Sequence, residues 1–204
     1  MPRSSPADDY TFAPVRVRRL WTAVCALTIA LGLAACGHKQ AHPTVADANN
    51  DGGYVDAGPV TYQLQISRVL NQYSTEDSQY VTGLPAGTAP PTATQEWYGV
   101  FLWAKNQTSK PQTTTDNFVI VDTQGNRYYP LKLNPAVNPY AWTSQTLQSL
   151  QTEPGPDTTA SYGPTQGQLL LFKIDTSAFA NRPLTLDILG PEGTKTLATI
   201  SLDL

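Results

Sequence analysis

The chain has 204 residues, with 13 Lys+Arg against 16 Asp+Glu, a formal net charge of −3. That mildly acidic balance supplies no basic field for nucleic acid or for an anionic membrane surface. Its two cysteines, Cys25 and Cys36, both precede residue 37, which excludes a disulfide, a redox pair or a thiolate metal site in the remainder.

Residues 1–35 differ from the rest. Arg16, Arg18 and Arg19 form a positive cluster, and the uncharged run from Leu20 to Ala35 follows them. The run is shorter than the roughly 20 residues that cross a hydrocarbon core, so it is expected to be the signal helix of an export sequence rather than a permanent span. It ends at Leu33-Ala34-Ala35-Cys36-Gly37, an apolar residue and two small ones before a cysteine. This resembles the lipobox of bacterial lipoproteins. The resemblance implies that Cys36 receives a diacylglyceryl group, that the signal is cut before it, and that the new amino group is acylated. Two acyl chains give stable anchoring where one gives only marginal binding. Arg18-Arg19 raises the twin-arginine export route, but the flanking residues fit that motif poorly, and general secretion is expected. Without residues 1–35 the chain carries 9 Lys+Arg and 14 Asp+Glu, a net of −5.

Residues 36–59 read as a flexible tether, polar and rich in Ala, Asp, Asn and Gly, with Val45, Tyr54 and Val55 as its sizeable apolar side chains. Such a stretch buries too little surface to offset its ordering entropy. Within it, Asp47-Ala48-Asn49-Asn50-Asp51-Gly52 has the oxygen spacing that starts a calcium loop. Gly58 stands where an EF-hand supplies its bidentate glutamate, so no metal is assigned.

Residues 60–204 have the size of one domain. Tyr62, Leu64 and Ile66 alternate with Gln63 and Gln65, as in a strand with one buried face. A second strand, Trp97–Lys105, is apolar on both faces, with Tyr98, Val100, Leu102 and Ala104 on one side and Trp97, Phe101 and Trp103 on the other. Asn117–Asp122 and Asn126–Leu133 flank Thr123-Gln124-Gly125 as a hairpin. Thr143–Gln151 has the composition for one or two helical turns, and Gln168–Ile174, Leu184–Leu189 and Leu197–Leu204 read as strands. Seven strands without crossover helices predict an all-β, antiparallel sandwich of two sheets, with a barrel as the alternative. The long connections 71–95 and 134–167 are where a ligand site is expected.

The stretch Tyr98-Gly99-Val100-Phe101-Leu102-Trp103-Ala104-Lys105-Asn106-Gln107-Thr108-Ser109-Lys110-Pro111 resembles a signature of bacterial secreted immunoglobulin-like domains of unknown function. Asp116–Asp122, Gly125–Tyr128 and Gly167–Ile174 resemble their later strands. Such domains are similar to a secreted mycobacterial immunogenic β-sandwich protein and often follow lipoprotein signals in actinobacteria. The resemblance implies fold and compartment and leaves activity open.

Phe101 and Trp103, with Trp97 near them and Tyr140 and Trp142 in the long connection, form a candidate aromatic platform for a glycan, a peptide or an envelope protein. The competing reading is that the long connections fold over this face as a second small core, favoured because large exposed apolar patches are uncommon in soluble monomers. Catalytic pairs are sparse. His38 and His42 lie in the tether, no Gly-x-Ser-x-Gly elbow occurs, and Asp116, Asp122, Asp175 and Asp187 are scattered carboxylates. Asp122 is expected to cap a turn, Asp187 to sit on a solvated strand face, and Asn106-Gln107-Thr108 to be a turn rather than a glycosylation site. The expectation is a non-enzymatic, lipid-anchored binding module on the extracytoplasmic side of the cell membrane, without a cofactor. The alternatives are a structural envelope component and, behind it, an envelope hydrolase.

Overall fold

The computed structural model describes residues 41–48 and 52–202. Strand β1 spans Val45–Asp47, β2 Tyr54–Ala57, β3 Val60–Leu70, β4 Gln95–Asn106, β5 Gln112–Thr113 and β6 Phe118–Val121. They are followed by β7 Arg127–Tyr128, β8 Thr146–Leu147, β9 Thr152–Glu153, β10 Gln168–Asp175, β11 Thr185–Leu189 and β12 Thr196–Ser201. Sheet order is β1-β12-β11-β6-β7 in one layer and β10-β4-β3-β2 in the other, with β9 beside the far end of β4 and a small β5-β8 ribbon. Among these strands every pairing is antiparallel except β1 on β12. The architecture is therefore the expected all-β antiparallel sandwich.

The main core lies between the sheets. Tyr98, Val100, Leu102 and Ala104 of β4 face it from one layer, and Phe118, Ile120, Leu186, Ile188 and Ile200 from the other. β4 is apolar on its second face as well, because a second core covers that side. Trp97 and Phe101 pack there with Leu70, Tyr80, Leu133, Tyr140, Leu169 and Leu171. The covering layer is made by the 3-10 turn Asp77–Val81, the segment 131–141 and the short helix α1, Thr159–Tyr162. Gly99 permits this close packing, since a β-carbon there would lie 2.9 Å from Leu70 Cδ1 and 3.1 Å from Phe101 Cε2.

Four expectations need correction. The stretch read as tether contributes β1 and β2, with Ala46, Val55 and Ala57 buried in the main core. Three small apolar residues suffice because strands already in place supply their backbone partners. In β3 the alternation does not persist. A register shift between Leu64 and Ile66 makes Gln65 an extra residue, so Leu64 faces the main core while Ile66 packs against the second one. Thr143–Gln151 runs through β8 and then reverses in a tight turn at 149–150, where Gln151 N donates to Gln148 O at 3.0 Å, and it forms no helix. The strand expected over 126–133 stops at Tyr128, and Leu131 instead bridges to Leu171 in the other layer.

Buried polar side chains organise the connections. Asn106 Nδ2 donates to the carbonyls of Lys110, Leu147 and Gln148 at 2.8, 3.0 and 3.1 Å, while its Oδ1 accepts from Thr108 N. Asn106 is thus a structural tie within its turn, buried in the fold. Asn138 plays the same part in the second core, donating to Tyr80 O at 3.0 Å and Thr82 O at 3.1 Å and accepting from Tyr140 N.

Candidate binding cleft

Past Phe101 the covering layer ends, and the outer face of the second sheet opens into a cleft of about 600 Å³. Register builds its floor. Tyr54 on β2 stands opposite Gln63 on β3, and Gln63 stands opposite Trp103 on β4, so the three form one row across the sheet. The next same-face row is Asp56, Thr61 and Lys105, with Thr152 of β9 beside Lys105. His42 and Pro43 form one wall. The His42 ring stacks on Tyr54 with centroids 5.3 Å apart and planes at 18°. Its backbone N–H donates to Asp56 Oδ2 at 3.1 Å. Thr61 Oγ1 donates to Asp56 Oδ1 at 2.5 Å and accepts from Gln107 Nε2 at 2.9 Å.

Trp103 is the notable member. Its indole N–H is shielded from solvent and has no acceptor among the described residues. The indoles of Trp97 and Trp142 each have one, Gln72 Oε1 and Thr115 O, both at 2.9 Å. A buried donor left unpaired costs about 1 to 3 kcal/mol, and because the group is shielded, an acceptor in the cleft recovers that free energy only as the ring turns toward it.

The four-residue aromatic platform does not form. Phe101 and Tyr140 are buried in the second core, both packed edge-on to Tyr80 at 5.0 and 4.8 Å. The Tyr140 hydroxyl donates to Gln79 Oε1 at 2.8 Å. Trp142 lies in the main core, 5.2 Å from Phe118 and nearly perpendicular to it. The two long connections cover this part of the sheet, as the competing reading required, and Trp103 alone of the four lines the open cleft. Tyr54, His42 and Gln63 escaped the sequence reading because their segments were assigned to a tether or to a plain amphipathic strand. The signal was present in Tyr54-Val55-Asp56-Ala57, an alternating run before the turn residues Gly58-Pro59. Cys36 lies outside the described residues, as do Asn49–Asp51 of the calcium-like stretch.

The carboxylates are engaged separately. Asp122 caps its turn, accepting from Gln124 N and Asn126 N at 2.9 Å each. Desolvation pushes its carboxyl up, but the hydrogen bonds from Asn126, Asn181 and Gln124 outweigh it and hold the group below the usual carboxylate range. Asp187 accepts from Thr199 Oγ1 at 2.8 Å, and Asp116 pairs with Lys132 at 3.2 Å. Asp175 accepts from Gln95 at 3.5 Å. Glu153 is different. It is fully buried, with Thr114 Oγ1 donating to Oε2 at 3.0 Å and Oε1 unpaired among the described residues, and burial raises it from the usual 4.5 to about 7. Among the described residues no three His, Cys, Asp or Glu side chains are grouped to hold a metal, and no helix is long and apolar enough to cross a membrane.

No family model matches the chain, and no curated protein matches its sequence. Solved structures do show likeness. A candidate lipoprotein of Bacillus subtilis, YcdA, aligns over 74% of this chain and 38% of its own, at 8% identity and a TM-score of 0.42. This chain therefore spans well under half of that protein. The YjhA protein of the same organism aligns over 74% of this chain and 97% of its own, at 11% identity and a TM-score of 0.45. An uncharacterised β-sandwich protein of Clostridium difficile aligns over 81% and 99%, at 7% identity and a TM-score of 0.38. At these scores the likenesses carry no argument about ligand or activity, and both fold and site rest on this chain's own sheets.

Proposed function

We propose that this protein is a lipid-anchored, non-enzymatic binding module of the bacterial cell envelope, related to the secreted immunoglobulin-like domains its sequence resembles. It takes its ligand in the cleft around Trp103. The observation that carries the reading is the row Tyr54, Gln63 and Trp103, which combines two aromatic rings and an amide on a rigid sheet with an unpaired indole donor. Ligand sites combine apolar and aromatic lining with a few placed polar groups in this way, and cavities of this volume are typical of them.

The anchor rests on the lipobox at Cys36. His42, only six residues later, is tied to Asp56. The described residues, and with them one wall of the cleft, thus begin within six residues of that cysteine.

The test is calorimetric titration of the acylated mature chain in lipid nanodiscs with soluble envelope extract, wild type against Trp103→Ala. Heat of binding in the wild type and its loss in the variant are expected. Equal heats in the two proteins would place the ligand elsewhere.

A further inference from the structure

The lining of the cleft narrows the class of ligand. We infer that the cleft takes a neutral oligosaccharide, an assignment that rests on its being the ligand site. Three features favour a sugar. Tyr54 and Trp103 stand two strands apart, about 10 Å at ordinary strand spacing, with the Gln63 amide between them. Two aromatic side chains, Tyr54 with one face already stacked on His42, and a donor and acceptor between them suit the apolar faces and hydroxyl rims of adjacent sugar rings. The Trp103 N–H has no acceptor among the described residues and is shielded from solvent, so a sugar oxygen or acetamido carbonyl pairs with it only as the ring turns toward the cleft.

Charge selects against ionic ligands. Among the described residues no Asp or Glu belongs to the lining, and Lys105 is its one lysine or arginine, with His42 as the other titratable nitrogen side chain. The nearest carboxylate, Asp56, is occupied by the His42 N–H and the Thr61 hydroxyl. A cationic ligand meets only this already hydrogen-bonded carboxylate, and an anionic one meets a single exposed lysine.

Backbone pairing selects against an added peptide strand. β3 is bonded to β2 and β4 along its two edges, and β4 to β3 on one side and to β10 and β9 on the other. The floor strands β3 and β4 therefore offer no open edge for the main-chain pairing that gives such complexes their affinity, and on the outer side of the end strand β2 the Pro43 carbonyl already accepts from Asp56 N at 2.9 Å. A flat protein partner fits poorly too. Standard interfaces bury roughly 800 Å² per partner, whereas here Tyr54, 39% exposed, is the one large hydrophobic residue of the cleft that reaches solvent substantially.

The experiment titrates the acylated mature chain in nanodiscs with neutral tetrasaccharides of glucose, mannose, galactose and N-acetylglucosamine, and with tetra-alanine, by calorimetry. At least one saccharide should bind at one site per chain. Gln63→Ala and Trp103→Phe should each weaken it about fivefold, the equivalent of one hydrogen bond, and Trp103→Ala should abolish it. Gln63→Ala lies on the cleft floor outside both cores, so an unchanged unfolding midpoint shows that its loss is local. Tetra-alanine binding that Trp103→Ala removes, with no saccharide bound, would overturn the sugar assignment and leave the cleft as the ligand site. Saccharide binding indifferent to Gln63→Ala and Trp103→Phe would overturn the assignment of this site. Silence from every probe would overturn the sugar class, and the envelope extract would then show whether the cleft binds anything at all.

Discussion

Glu153 makes the stability of this domain depend on pH in an unusual direction. Its carboxyl is buried, and desolvation moves it from 4.5 to about 7. Each tenfold change in proton affinity is worth about 1.4 kcal/mol, so the ionised form costs the folded state about 3 kcal/mol. Between those two values the folded chain holds a proton that the unfolded chain has released. Stability is therefore fullest below pH 4.5, falls as pH rises, and levels off above pH 7. Glu153→Gln keeps the shape and an acceptor for the Thr114 hydroxyl while removing the titration. Urea unfolding of the mature chain carrying Cys36→Ser, at pH 4.5, 6 and 8, should show the wild type losing about 3 kcal/mol and the variant nearly none over that window. At pH 8 Glu153→Gln should be the more stable of the two. Parallel curves, or wild-type stability that rises between pH 4.5 and 8, would refute the buried-carboxyl reasoning.

Other consequences are equally concrete. Cys36→Ser should move the protein from the membrane fraction to the soluble extracytoplasmic fraction, checked by fractionation and by intact mass. A chain beginning at residue 60 lacks Ala46, Val55 and Ala57 of the main core, and its thermal unfolding should be lower or lose cooperativity relative to one beginning at residue 37. Arg68→Ala removes the 2.6 Å bond to Asp77 and the guanidinium 6.0 Å from the Tyr80 ring centroid, so denaturant unfolding should show a loss of about 1 to 2 kcal/mol. The bond from Arg68 holds Asp77 below the usual carboxylate range, a stabilisation present above pH 4 and lost on acidification, so the variant should also lose less stability below pH 4. Gly167→Ala, at φ +110° with a β-carbon 3.0 Å from Leu102 N, should cost about 2 kcal/mol or more by the same measurement.

Periodicity made much of this fold legible. Apolar alternation in Trp97–Lys105, Gln168–Ile174 and Leu184–Leu189 marked β4, β10 and β11 because each has at least one buried face. β4 also announced its second core through Trp97 and Phe101. What stayed hidden depends on contacts distant in sequence. The bulge at Gln65 reverses the facing of Ile66 without altering the residue pattern, since apolar residues at 62, 64 and 66 are compatible with either register. β1 has three residues and one buried side chain, and it exists because the edge of β12 away from β11 is open to it. The same limit applies to the site. Trp103 was named from its strand, but its companions Tyr54 and Gln63 come from β2 and β3, and only cross-strand register brings the row together. Phe101 and Trp103 were indistinguishable in sequence, two positions apart on one face. Where the 71–94 and 131–141 connections end decides that one is core and the other is cleft.

The three indole N–H groups after residue 40 allow a direct reading of the site. Trp97 and Trp142 already donate to protein acceptors, while Trp103 has none among the described residues. With ¹⁵N-labelled tryptophan in the acylated protein, addition of the bound envelope fraction should move the Trp103 indole resonance strongly downfield as it gains an acceptor and leave the other two in place. A Trp103 signal that stays still while ligand binds, or one that moves no more than those of Trp97 and Trp142, would contradict ligand capture at this cleft.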